Sequence, residues 1–235
     1  MSRTVKQFIY GAGYLMFVAL IVIAALPSRE PEPAATTPNA GSFRQLEMRG
    51  PVTVMTAADG NVALLARVRN PNETYLAAPF SYSFRVTGNG GAGMTTPVRT
   101  ETLYPLETSA ILEIVPSPTF TEDSEVALLL GNPTWAGIEF SLRPSLALRN
   151  VATRVDSIGL LVEGTVTNAG AVAASRARIL AIVNDANGFP LFAAQTVLEN
   201  LAGGASRDFF IRFPRDEGLA TRALPDKTEI LIYAQ

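Results

Sequence analysis

Two stretches of this chain, residues 62–70 (VALLARVRN) and 160–168 (LLVEGTVTN), place apolar side chains at every second position and stop at an asparagine. A period of two puts Val62, Leu64, Ala66 and Val68 on one face of a strand. It puts Leu160, Val162, Gly164 and Val166 on one face of another. An asparagine at the end of each suits a turn, where its short side chain bonds nearby backbone. The following segments also correspond. Tyr82, Phe84 and Val86 match Ile179, Ala181 and Val183, and Gly/Asn-rich turns follow at residues 87–90 and 184–188. Leu106 ahead of Glu107-Thr108-Ser109 is matched with Leu201 ahead of Ala202-Gly203-Gly204. Strands ending at Pro116 and Pro214 come next, and residues 125–130 (EVALLL) match 229–234 (EILIYA) as closing strands. Helical periodicity is absent beyond Leu26. The pattern predicts a mainly β chain with two tandem antiparallel β-sandwiches, residues 43–142 and 143–235.

Equivalent positions are spaced by about 95–104 residues, the size of one immunoglobulin-like sandwich. The junction, residues 141–145 (SLRPS), holds no long Gly or Ser linker. It predicts a limited hinge or a packed pair of domains rather than free tumbling.

The N-terminal part follows different rules. Residues 8–26 (FIYGAGYLMFVALIVIAAL) contain no charge and no proline. As a helix at ~1.5 Å per residue they reach about 28 Å, close to the ~30 Å hydrocarbon core of a bilayer. Arg3 and Lys6 precede them, which favours a cytoplasmic N-terminus. A cleavable signal peptide is the rival, but its apolar core runs only ~7–15 residues. The expectation is a cytoplasmic tail over 1–7, a transmembrane signal-anchor over 8–26 and a Pro-rich stalk over 27–42, with the rest extracytoplasmic.

The 235 residues include no histidine and no cysteine, and lysine occurs only at Lys6 and Lys227. A Ser-His-Asp triad, a His-ligated metal, a thiolate nucleophile and a disulfide are thereby excluded. The net charge is −2 and the arginines are spread singly, as at Arg67, Arg69, Arg85 and Arg99. They are expected on solvent faces of strands, with no nucleic-acid partner. Asp185-Ala186-Asn187-Gly188 resembles the start of a calcium loop but lacks the later ligands, so a hairpin turn is expected. Glu122-Asp123-Ser124-Glu125 is expected as a solvated turn. Lys227 sits in a presumptive turn beside Asp226, which keeps it charged and unsuited to act as a base. Asn72-Glu73-Thr74 matches a glycosylation acceptor and is expected as a polar loop. No cofactor and no metal site is predicted. Trp135, the single tryptophan, is expected by default as a sandwich-core or domain-junction anchor; if exposed, it is with Tyr104 and Phe189 a candidate ligand or partner contact.

The opening Thr4-Val5-Lys6-Gln7 with Tyr10-Gly11 and Tyr14-Leu15 resembles a group of uncharacterised single-pass membrane proteins from small-genome bacteria. Asn70-Pro71-Asn72 followed by Phe80, Tyr82 and Phe84 fits the same group, whose members often carry a Cys-rich segment where this chain has residues 27–42. The second half resembles the FxLYD-type immunoglobulin-like domain in residues 162–168 (VEGTVTN), Asn184-Asp185, Gly188 and Leu201. It departs at the naming motif, with Ile182-Val183-Asn184-Asp185. The resemblance implies fold and membrane topology and supplies no catalytic residues.

Together these features predict a non-catalytic membrane-anchored protein that displays two β-sandwiches for protein interaction or cell-envelope organisation. Its expected partners are the lipid bilayer, through the N-terminal helix, and an envelope protein. The alternative is an extracytoplasmic module that binds a glycan or peptide on its loops or on an exposed sheet edge.

Overall fold

Strand β3 (Asn61–Arg69) is buried at every residue from Val62 to Ala66, on both faces rather than one. β1 (Glu47–Met48) and β2 (Thr53–Thr56) share one edge of it, and β7 (Thr108–Pro116) takes the other, all antiparallel. A second sheet is built on β4 (Tyr75–Thr87). β5 (Gly93–Thr95) and β6 (Arg99–Leu103) line one edge of β4, and β8 (Glu125–Leu130) and β9 (Trp135–Gly137) the other. The computed structural model describes residues 43–88, 93–116, 124–138, 142–156 and 159–234.

The second half repeats this order. β11 (Gly159–Asn168) lies between β10 (Leu146–Asp156) and β14 (Ser206–Arg212). β12 (Ala174–Asn184) lies between β13 (Pro190–Leu201) and β15 (Glu229–Ala234). In each half the second strand pairs with the first and fifth, and the third with the fourth and sixth, once β1/β2, β5/β6 and β8/β9 are each counted as one interrupted strand. The closing strands span the residues expected from the sequence, 125–130 and 229–234. The chain is thus mainly antiparallel β. One short helix, α1 (Glu217–Arg222), follows β14, and a 3-10 turn (Pro225–Lys227) precedes β15. A six-residue helix is too short to show periodicity, and its sequence signal is the N-cap, Asp216, which accepts from the Leu219 N–H.

Two apolar cores place the sheets in order. Val62, Leu64, Ala66, Val68, Ile111 and Val115 of the β3 sheet meet Phe80, Phe84, Val86, Leu103 and Trp135 of the β4 sheet. The opposite face of the β3 sheet, with Met55, Ala63, Leu65, Ala110 and Leu112, joins a second core shared with β11, β12, β13 and β14. The β3 and β12 sheets are therefore the two middle layers of four, each covered on both sides. Continuous apolar runs are what two-sided burial requires, and residues 62–66 (VALLA) and 179–183 (ILAIV) are such runs. Along β13, Pro190, Leu191 and Phe192 lie against β2, whereas Gln195 and Val197 lie beside β7. The strands of the middle sheets thus cross rather than align. The described residues form one compact unit.

Among the described residues no helix is long and apolar enough to cross a membrane. The tail, membrane segment and stalk expected over residues 1–42 lie outside the described residues, as do Glu122 and Asp123.

Candidate binding site at the junction of the two halves

The strand-terminal asparagines set the geometry. Asn70 and Asn168 are fully buried. Asn70 Nδ2 donates to the carbonyls of Tyr75, Leu103 and Tyr104, and its Oδ1 accepts from the N–H and Nδ2 of Asn72. Asn168 Nδ2 donates to the carbonyls of Val172 and Leu201, and its Oδ1 accepts from the Gly170 N–H. Asn168, Leu201 and Gly204 lie 98 residues after Asn70, Leu103 and Leu106, so Leu103, not Leu106, is the equivalent of Leu201. Leu106 and Gly204 share a left-handed backbone, with φ of 58° and 74°. Their N–H groups donate to the equivalent carbonyls of Asn72 and Gly170. These bonds pin the turns that launch β7 and β14. Asn72, in the presumptive glycosylation motif, is buried, with Nδ2 donating to the Arg44 carbonyl.

The turn at residues 104–107 delivers β7 to the junction with its outer edge unpaired by any other described strand. Asn70 N–H donates to the Glu107 carbonyl. Antiparallel alternation therefore points Ser109, Ile111 and Glu113 at β3, and the polar groups of Ala110, Leu112 and Ile114 away from it. The second half reaches over to Ala110. Its carbonyl accepts from Arg178 Nη1 at 2.8 Å, and its N–H donates to Tyr233 Oη at 2.9 Å. Arg178 also donates from Nη2 to Glu101 Oε2 at 2.8 Å and to Ser109 Oγ at 2.9 Å. Its guanidinium lies over the Tyr233 ring. The ion pair is deeply buried, with side-chain exposures of 8% for Arg178 and 2% for Glu101.

Other polar contacts run between the halves. Arg67 pairs with Glu229, and Asp216 Oδ2 accepts from the Ala58 N–H at 2.8 Å. That bond is the leading cause holding the Asp216 carboxyl below its ordinary range. Arg67 and Arg99 were expected on solvent faces. Their side chains are 37% and 55% exposed, and they make ion pairs across the halves and between β6 and β7 respectively. The residue that the sequence reading missed is Arg178. Its signal is a charge that shares a strand face with Arg176, Leu180 and Ile182 and directly precedes the apolar run 179–183.

Beyond Arg178 the junction opens into a groove of about 620 Å³. Leu112 and Ile114 of β7 lie along it, between Tyr82, Arg99 and Thr100 on one side and Arg176, Gln195 and Val197 on the other. Burial, then the nearby Glu101 carboxylate, pushes the Tyr82 phenol up to about 12. Its hydroxyl therefore stays protonated at neutral pH, available to donate or accept a hydrogen bond.

The three aromatic candidates are not brought together. Trp135 is buried and stacks on Phe43 at 5.0 Å. Tyr104 is buried beneath the Arg143 guanidinium. Only Phe189 is exposed, at 67%, on the tip of the β12–β13 hairpin. That tip closes on Asp185, whose Oδ1 accepts from the N–H groups of Asn187 and Phe189, with Gly188 at φ 84°. Lys227 ends the 3-10 turn ahead of β15. Among the described residues no group of three or more carboxylates is placed to hold a metal ion. No family model and no curated protein matches this chain.

Proposed function

We propose that the chain is a membrane-anchored extracytoplasmic protein that presents two immunoglobulin-like β-sandwiches for protein interaction or envelope organisation, without catalysis. The uncharged residues 8–26 behind Arg3 and Lys6 support the anchor and a cytoplasmic N-terminus. The strand order common to both halves supports the immunoglobulin-like assignment, and the buried Asn corner supports kinship with the FxLYD-type domain. The observation that carries the non-catalytic reading is how the junction spends its charged groups. Arg178 and Glu101 are tied to each other and to strand edges, in the manner of a structural clip. In-cell crosslinking with mass spectrometry tests the proposal. Crosslinks from residues 43–235 to extracytoplasmic envelope proteins are expected. Crosslinks confined to cytoplasmic proteins overturn the topology, and substrate turnover by the purified chain overturns the non-catalytic role.

A second reading, ligand capture, is favoured by one observation, the groove beside β7. A site of that size at the seam between two sheet systems is where small ligands and peptides bind.

A further inference from the structure

We infer that the groove between the halves takes an extended peptide segment, which adds as a strand to the outer edge of β7 at Leu112 and Ile114. The inference rests on the interaction role proposed above and names the surface that performs it.

The edge itself supplies the first reason. The rung at Ala110 points away from β3 and is completed by Arg178 and Tyr233 of the second half. Alternation turns the N–H and C=O of Leu112 and Ile114 to the same side, and both residues line the groove. Ile114 is 44% exposed. The second half thus closes one rung of the edge and leaves the next ones facing a cavity. An exposed strand edge recruits another strand, and main-chain hydrogen bonds supply much of the affinity in that mode.

The walls supply the second reason. Side chains of an added strand would alternate between two sides, as a pleated strand requires. One side offers Tyr82 and Thr100; the other offers Gln195 and Val197. Val98, 69% exposed at the rim, and Ile114 both offer apolar surface to the occupant. The groove's charges are already matched. Arg178 pairs with Glu101, Arg99 with Glu113, and Arg176 with Glu199. The occupant is therefore an uncharged segment that alternates apolar and polar residues, not an anion or a basic tail.

A displayed library of short random peptides, screened against the full chain in detergent, tests this. Enriched peptides should share the alternating uncharged pattern and slow amide exchange at Ile114. Ile114→Pro removes the outward N–H together with the groove-lining isoleucine side chain, at an edge position where proline is tolerated. It should weaken these peptides about tenfold, the worth of one or two main-chain hydrogen bonds. Val98→Asp should weaken them as well, and Phe210→Ala, on the far sheet, should leave binding unchanged. The inference is overturned if no peptide is enriched, if binding ignores both groove variants, if defined oligosaccharides occupy the groove instead, or if the chain dimerises through this edge. Envelope crosslinks that map away from Val98, Ile114 and Val197 would overturn the groove while leaving the interaction role standing.

Discussion

Arg178→Met replaces one member of the most deeply buried ion pair that ties the described halves together, and its cost can be worked from the contacts. The substitution takes the facing guanidinium away from the Glu101 carboxylate, which is 2% exposed. Breaking a buried ion pair from one side costs about 3–5 kcal/mol. The Ala110 carbonyl also loses its bond, worth about 1–3 kcal/mol when such a group stays buried. One gain opposes these losses. Arg178 Nε is buried with no hydrogen-bond partner, and methionine removes that unsatisfied donor. The net expectation is a loss of about 3–5 kcal/mol. With a urea slope of about 2 kcal/mol/M, the unfolding midpoint should fall by about 1.5–2.5 M. Trp135, the single tryptophan, is buried in the first half, so its fluorescence reports there while far-UV circular dichroism reports both halves. The two transitions should coincide in the native sequence. Arg178→Met with Glu101→Leu should recover most of the loss, because replacing both members of a buried pair is close to neutral. A loss below about 1 kcal/mol for Arg178→Met, or a double variant no better than the single one, would refute the clip.

Three further outcomes follow from the same contacts. Asn168→Ala strands the carbonyls of Val172 and Leu201 and the Gly170 N–H, and should cost about 2–4 kcal/mol in the same urea assay. Leu106→Gly relieves a left-handed residue at the position where the second half already has Gly204, and should raise stability by up to about 1 kcal/mol. Burial is the main cause raising the Glu107 carboxyl above its ordinary 4.5. The folded state then holds that proton more tightly than the unfolded one. Its stabilising contribution is present below pH 4.5 and is lost as pH rises through the folded value. Glu107→Gln should flatten the slope in that window, read from midpoints across a pH series. Asp216, shifted the other way, acts below its ordinary 3.8 and is separable from it.

Much of the strand order was legible because its signals are local. Period-two alternation, terminal asparagines and Gly-containing turns mark strands without knowledge of their neighbours. The junction was less legible because its partners are far apart in sequence. Arg178 and Glu101 are 77 residues apart, and nothing near either one names the other. Part of it could still have been read. Within residues 62–66 the positions between the inward residues are Ala63 and Leu65, also apolar, and within 179–183 they are Leu180 and Ile182. Counting only the better face hid the second core. The burial of Trp135 agrees with its default reading as a core anchor, whereas Tyr104, in a turn, carried no signal to tell core from surface.

The two halves share one strand order, yet they do not meet through equivalent sheets, and the sequence contains the reason. The β3 sheet of the first half packs on the β12 sheet of the second, a head-to-tail contact that could in principle continue in both directions. The outward positions decide where it stops. Leu65 faces the second half, while the residue 98 positions later, Glu163, faces away from the core and pairs with Arg154. Leu180 and Ile182 face the first half. The matching positions of β4, taking Tyr82, Phe84 and Val86 with Ile179, Ala181 and Val183, are Ser83 and Arg85. An apolar residue at each of these sites would give the terminal sheets the faces that the middle sheets bury. Glu163, 40% exposed, and the exposed Arg85 instead give these faces a polar character, as capping repeats have in longer arrays.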